Sequence, residues 1–486
     1  MIEDLNRRHQ MARAKRDAWQ NLWQDCYDYA LPQRGNFSSF SSGGNRRSER
    51  LYDATAMDAV DQLAASLLGH LTPAWTPWFG LKPGPDLSEE DAQALAPILE
   101  KAGRILQSHF DRSNFSVEIH QAFLDLVVAG TGSLAVEEAE PGHYSALRFT
   151  AIPLQDIVLE EGHNGFLDCT YRTMSLTLAQ IKLRYPQADL SQNISYSGER
   201  DSQKQFKITE AIIPDGTSYL YTAFLDDDLL LETKLPQSPI LNFRWMKSPG
   251  EIYGRSPVMK SLPDIKTANK VVELILKNAS IAVTGIWQAD DDGVLNPANI
   301  ELVPGAIIPK AVGSKGLTPL EMPGRFDVSQ IILEDLRARI RHSLLIDRLP
   351  QIGGKRMTAT EVVERANEMA LLLGATYGRL QCELLTPLIQ RAYAILRRRG
   401  EVPDLAIDGR MIEIDYRSPL ARAMSQRHVQ TTLSWLQNVQ AMGPQALAVV
   451  DLPQTARYLG EALGVPGYLI RQIPTEIEIQ GEKNDQ

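Results

Sequence analysis

Apolar residues recur at helical spacing in the first quarter of the chain and again in its second half, with a strand-like stretch between. Trp19, Leu22, Trp23, Cys26, Tyr27 and Ala30 fall at i, i+3, i+4, i+7, i+8 and i+11, which predicts one amphipathic helix over residues 3–30, ended by Pro32. Gln33–Ser48, rich in Ser, Gly and Asn, reads as a loop. A second helix follows over Thr55–Gly69, with Val60, Leu63, Ala64, Leu67 and Leu68 on one side. Trp75, Trp78 and Phe79, set among prolines, read as core anchors. Ser88 and Asp91 form a capping start for a helix to Phe110, kinked near Pro97, and another helix spans Ser116–Ala129. Between Ser133 and Trp245 the pattern changes to short strands separated by Gly, Pro and Asp, with one short helix at Thr177–Tyr185. Such spacing predicts a small antiparallel sheet or barrel.

Helical spacing then returns. Val272, Ile275, Leu276 and Ala279 mark a stripe on a helix over Pro263–Ile281. Val328, Ile332, Leu336 and Ile340, with Leu333 and Leu344 beside them, mark another over Asp327–Ile346. A Gly/Pro-punctuated insert, Gly285–Gly324, separates the two, so they read as a hairpin-like stalk with a compact knob at its end. The second helix also carries Glu334, Arg337 and Arg341 at i, i+3 and i+7, a charged face for intrahelical pairs or for a neighbouring copy. A loop, Asp347–Met357, leads to the capping box Thr358-x-x-Glu361 and some forty residues of helical pattern, bent at Pro387 and closed by Gly400. From Ser418 onward the tail is mostly helical. The expected class is α+β, predominantly helical.

With 486 residues the chain has room for two or more domains, and 43% hydrophobic with 23% charged residues is an ordinary soluble composition. No uncharged apolar run approaches the roughly 18 residues a membrane span needs, and the N-terminus lacks an apolar signal core, so cytoplasmic synthesis without a membrane anchor is expected. Cys26, Cys169 and Cys382 make no CxxC, the eight histidines make no ligand pattern, and Asp226-Asp227-Asp228 lacks calcium-loop spacing. No metal and no cofactor are expected. The string nearest a P-loop, Gly353-Gly354-Lys355-Arg356, has Leu349 where the first glycine belongs and Arg356 in place of Ser/Thr. HExxH and GxSxG are absent too, so no enzymatic activity is expected. A net charge of −10 argues against gripping DNA over the general surface, and is compatible with a wall past which DNA slides.

Several ordered strings carry a family resemblance: Arg50-Leu51-Tyr52-Asp53-Ala54-Thr55, Leu71-Thr72-Pro73 with Trp78-Phe79, Tyr253-Gly254-Arg255-Ser256-Pro257, Leu262-Pro263-Asp264-Ile265, and Arg356-Met357-Thr358-Ala359-Thr360-Glu361-Val362. Together, over roughly Arg13–Pro403, the chain resembles the portal (head-to-tail connector) proteins of short-tailed phages. The resemblance implies a ring, usually of twelve copies, at one vertex of the virion capsid, after assembly in the host cytoplasm. It would be a conduit for double-stranded DNA during terminase-driven packaging and ejection, with tail adaptor, capsid and scaffolding proteins as further partners. It also implies a wing over residues 1–245, a first stem region over 246–284, a clip over 285–325 and a second stem helix over 326–346. A channel loop would span 347–357, a long wing helix 358–400, and a crown and tail 401–486. Within that plan Leu349, Gly353, Gly354, Lys355 and Arg356 are the candidate DNA-channel loop, and Glu334, Arg337 and Arg341 the candidate stem faces. The alternatives are a non-portal adaptor or scaffold, or a packaging NTPase or nuclease component.

Overall fold

The long N-terminal pattern folds as two helices, α1 (Ile2–Asp17) and α2 (Gln20–Ala30), rather than one. They serve different surfaces. On α1, Leu5 and Ala12 pack with Val158, Tyr171 and Phe224 of a β-sheet. On α2, Trp23, Cys26, Tyr27 and Ala30 enter the main core. A straight helix cannot face both, and the chain turns at Trp19, whose N–H donates to the Arg16 carbonyl at 2.9 Å. These elements belong to a computed structural model that describes residues 2–34, 51–74, 76–188, 190–226, 228–284, 287–289, 317–319, 326–348, 374–447 and 449–463. Trp75, most of the Gln33–Ser48 loop, nearly all of Gly285–Gly324, the stretch 349–373 and the tail beyond 463 lie outside the described residues.

Helix α3 (Thr55–Leu71) buries the expected Val60, Leu63, Ala64 and Leu67. Helix α4 (Glu89–Asp111) contains Pro97 and starts at Ser88, whose side chain accepts from the Asp91 N–H. Helix α5 (Phe115–Ala129) is the central rod, buried along nearly its whole length, and stops at Gly130 with φ of 77°. Trp78 and Phe79 are buried as anchors, and Phe79 opens β1 (Phe79–Pro83). The partner of β1 is the distant β12 (Ile412–Tyr416), a pairing that local patterning cannot reveal.

The strand-rich middle forms two open antiparallel sheets among the described residues, not a barrel. One is β3-β2-β9, from β2 (Thr131–Glu138), β3 (Leu147–Ala151) and β9 (Ile240–Arg244). The other runs in sequence order through β4 (Ile157–Glu160), β5 (Cys169–Thr177), β6 (Gln205–Asp215), β7 (Ser218–Leu225) and β8 (Asp228–Leu235). Closure is unnecessary because helices cover the faces. Helix α6 (Leu178–Arg184) and the unanticipated α7 (Gln192–Arg200) pack over Phe206, Ile208 and Leu230, and α1 takes the opposite face through Tyr171, Ala211 and Phe224.

The hairpin consists of α8 (Pro257–Thr284) and α9 (Phe326–Ser343), which pack along each other. The first begins six residues before the expected start, so Pro263 lies within its second turn. Between them, β10 (Trp287–Ala289) pairs with β11 (Leu317–Pro319). Further on, helical residues 374–380 run into a π-helical turn, Gln381–Leu385, and then α10 (Thr386–Arg398). At the proline where a bend is expected, the departure from α-helical geometry lies one turn earlier, in the π turn. A proline ring clashes with the carbonyl four residues back, here Glu383, and the wider π turn relieves that clash.

Candidate functional site

Three of the strings that carried the family resemblance, around Asp53, Gly254 and Asp264, meet at the α8–α9 hairpin, while Arg356–Val362 lies outside the described residues. Ser256 stands just before α8, where its Oγ accepts from the Met259 N–H at 2.9 Å and donates to the Val128 carbonyl of α5 at 2.8 Å. One hydroxyl therefore caps the hairpin and ties it to the central rod, with Pro257 favourable as the first helical residue. The Gly254 N–H donates to Thr131 Oγ1 at 2.9 Å, and the Gly254 backbone lies flat against that of Gly130. Tyr253 is buried, packs edge-on against Trp23 at 4.9 Å between ring centroids, and accepts the Leu159 N–H on its hydroxyl at 3.1 Å. Burial pushes its phenol up to about 12. The Arg255 guanidinium sits 4.5 Å over the Trp19 ring. This one segment thus joins α2, β4 and α5 to the start of the hairpin.

A second clamp holds the two hairpin helices to each other through the chain leading into α3. Asn269 of α8 accepts the N–H groups of Tyr52 and Asp53 at 2.7 and 3.2 Å. The Asp53 carboxylate accepts from Thr55 N–H at 3.0 Å and, on its other oxygen, from Arg337 of α9 at 2.8 and 2.7 Å. Burial alone would push this carboxyl up, but the bonds from Thr55 and Arg337 outweigh it and hold Asp53 below the usual carboxylate range. A depressed acid contributes stability that is fully present above its unfolded pKa of about 4 and lost as pH falls through the lower folded value. Asp53→Asn is expected to weaken folding by about 1–3 kcal/mol at neutral pH, the scale of a hydrogen bond to a charged group. It should also flatten the acid limb of a stability–pH curve. A variant curve parallel to the wild type below pH 4 would show that Asp53 does not carry the linkage.

Of the predicted stem face, Arg337 thus turns off its own helix toward Asp53, while Glu334 and Arg341 are exposed. Glu334 accepts only a long 3.5 Å bond from Gln330, and the intrahelical pair on α9 is Arg339–Asp335 at 3.8 Å. Arg339 also reaches across to Asp264 of α8 at 2.6 Å. Of the expected α9 stripe Leu336 and Ile340 are buried, with Leu333 and Leu344 beside them, but Ile332 is exposed, as is Leu276 of the α8 stripe. Toward the far end the hairpin is bare: Leu274, Leu276, Ile331 and Ile332 are 48%, 53%, 69% and 48% exposed. The channel-loop candidates Leu349, Gly353, Gly354, Lys355 and Arg356 lie outside the described residues.

Sequence reading missed a fully buried charge. Arg244, at the end of β9, is fully buried and donates to Glu383 from Nη2 at 2.6 Å and Nε at 3.2 Å. It also donates to the carbonyls of Ile252 at 3.1 Å and Gly165 at 3.0 Å, and Glu383 accepts the Arg244 N–H at 2.9 Å. The only sequence signal is an arginine closing an otherwise apolar strand. Among the described residues no group of three or more His, Cys, Asp or Glu is placed to hold a metal, and no helix is long and apolar enough to cross a membrane. The site is a mechanical joint: a rigid root, two cross-braced helices and an uncovered apolar end.

Residues 3–470 match the family described as bacteriophage head to tail connecting protein. The chain is 25% identical to the probable portal protein of Bordetella phage BPP-1, over 94% of this chain and 86% of that one. It is also 25% identical to the portal protein of Salmonella phage epsilon15, over 98% and 90% of the two chains. A chain from the solved virion of a native gene transfer agent particle is 13% identical, with a TM-score of 0.36 over 86% of this chain and 94% of that one.

Proposed function

The chain belongs to the bacteriophage head to tail connecting protein family, and on that premise we propose that its copies close into a portal ring at one capsid vertex. The ring is a passage for double-stranded DNA and a platform for tail attachment, with terminase, tail adaptors, capsid and scaffolding proteins as partners. The work is geometric: the protein holds a bore open and presents docking surfaces, with no covalent step. In this reading α8 and α9 are the stem, the insert at 285–325 the clip, residues 347–357 the channel loop, and the helices beyond Ser418 the crown. Twelve copies is the expected number.

The observation that carries the reading is the uncovered apolar half of a hairpin whose root is rigidly held. Leu274, Leu276, Ile331 and Ile332 gain nothing from water, and a head-to-tail neighbour covers them with a different face of its own hairpin. Negatively stained micrographs of the purified chain are expected to show rings with an open bore. A compact monomer or closed dimer at every concentration overturns the reading. Replacing Lys355 and Arg356 by Ala is then expected to alter DNA retention or translocation while rings still form, because few cations should face a duplex that must slide. Loss of ring assembly instead would make that loop structural.

A further inference from the structure

The geometry points to an anion site, separate from the hairpin, that takes a single carboxylate group on Arg391. A cavity of about 210 Å³ lies between α10, β2 and the five-stranded sheet, with Arg391 in its wall. The carboxylates around it are already engaged. Glu137 holds Arg184 at 3.0 Å, Glu138 holds Arg398 at 2.7 Å, and Glu210 holds Arg184 at 3.0 Å and Arg172 at 3.5 Å. Glu210 also accepts the Tyr185 and Tyr221 hydroxyls at 2.8 and 2.6 Å. Arg391 is the exception. It is 6% exposed, its one hydrogen bond to a described residue is a long 3.4 Å donation to the Val136 carbonyl, and no described carboxylate lies within ion-pair distance. Burial, and next the like charge of Arg398, pull its guanidinium down to about 10.

Glu137 and Glu138 attract Arg391 only from a distance; a buried cation without a bonded counter-ion is costly, and here there is space for one beside it. The planar guanidinium fork matches a carboxylate with two parallel bonds. Charge sets the valence: Glu137, Glu138 and Glu210 line the same cavity and repel a dianion such as phosphate more than a monoanion. The carboxylate comes either from a free small acid or from an Asp or Glu side chain of another copy.

Carboxyl-13C acetate, added to the full-length chain in dilute and in assembled form, reports occupancy by line broadening. Saturable broadening that formate reverses is expected in the dilute chain. It is expected to be at least about tenfold weaker in Arg391→Met, the loss of a charge-assisted bond. Thr233 lines the cavity from the edge strand β8, so Thr233→Phe fills the space without touching the arginine and should abolish the signal. Broadening in both forms assigns a free acid, and broadening in the dilute form alone assigns a neighbour's side chain. No formate-reversible broadening in the dilute chain, or broadening undiminished in both variants, overturns the site whether or not rings form.

Discussion

Arg244→Met is expected to lower folding stability by about 3–5 kcal/mol, the cost of breaking a buried ion pair from one side. The substitution removes donors from three acceptors at once: the Glu383 carboxylate and the carbonyls of Ile252 and Gly165. Among the described residues Glu383, itself buried, would keep only the backbone N–H of residue 244 at 2.9 Å and Arg379 at 3.1 Å. Each newly unpaired acceptor adds its own desolvation cost. Glu383 lies within the π turn, so the pair ties that turn to the end of β9. Urea unfolding should show the loss. The double variant Arg244→Met/Glu383→Leu should recover much of it, because an apolar pair of similar volume leaves no stranded charge. A single-variant loss under about 1 kcal/mol would show that the contact does not brace the sheet against the long helix.

How legible this was in the sequence depended on the range of the interactions. Helices α3, α4 and α5 follow from local periodicity and a capping serine, and so do the hairpin helices, because burial along one face repeats every third or fourth residue. The strand character of the middle region is legible between Ser133 and Trp245, but not its division into two sheets. That division depends on which helix covers which face, and α7 carried no signal strong enough to anticipate. The split between α1 and α2 was invisible for the same reason: periodicity records that a face is apolar, not what lies opposite it. At the site, the charged triplet Glu334, Arg337 and Arg341 lies along α9, yet Arg337 finds its partner in Asp53, on the chain leading into α3. In the sequence the string around Asp53 carries the resemblance alone, with no role attached. The structure supplies the role: its carboxylate and backbone amides reach both hairpin helices.

Gly254→Ala is the second substitution expected to be severe, about 3 kcal/mol or more, because the clash is with backbone rather than with a side chain that can turn away. A Cβ on Gly254 would lie 2.0 Å from the Gly130 carbonyl oxygen, and one on Gly130 would lie 2.3 Å from the Gly254 carbonyl oxygen. The two glycines interlock at the point where α5 ends, β2 begins and α8 is about to start. Gly130 is further constrained by its φ of 77°, which a side chain rarely adopts. Relief of the clash requires the segment before α8 to move away from α5. That motion breaks the Gly254 bond to Thr131 and draws Ser256 off the Val128 carbonyl. The hairpin would then lose its fixed root, so hydrogen exchange at the start of α8 should quicken more than in α5, and urea unfolding should shift to a lower midpoint. Gly378→Ala is the control: a Cβ there meets nothing within 4 Å, and a helical glycine replaced by alanine should gain up to about 1 kcal/mol. If Gly254→Ala unfolds at the wild-type midpoint with unchanged exchange in α8, the hairpin is not anchored through this contact, and the rigid root that the proposed stem role depends on must lie elsewhere.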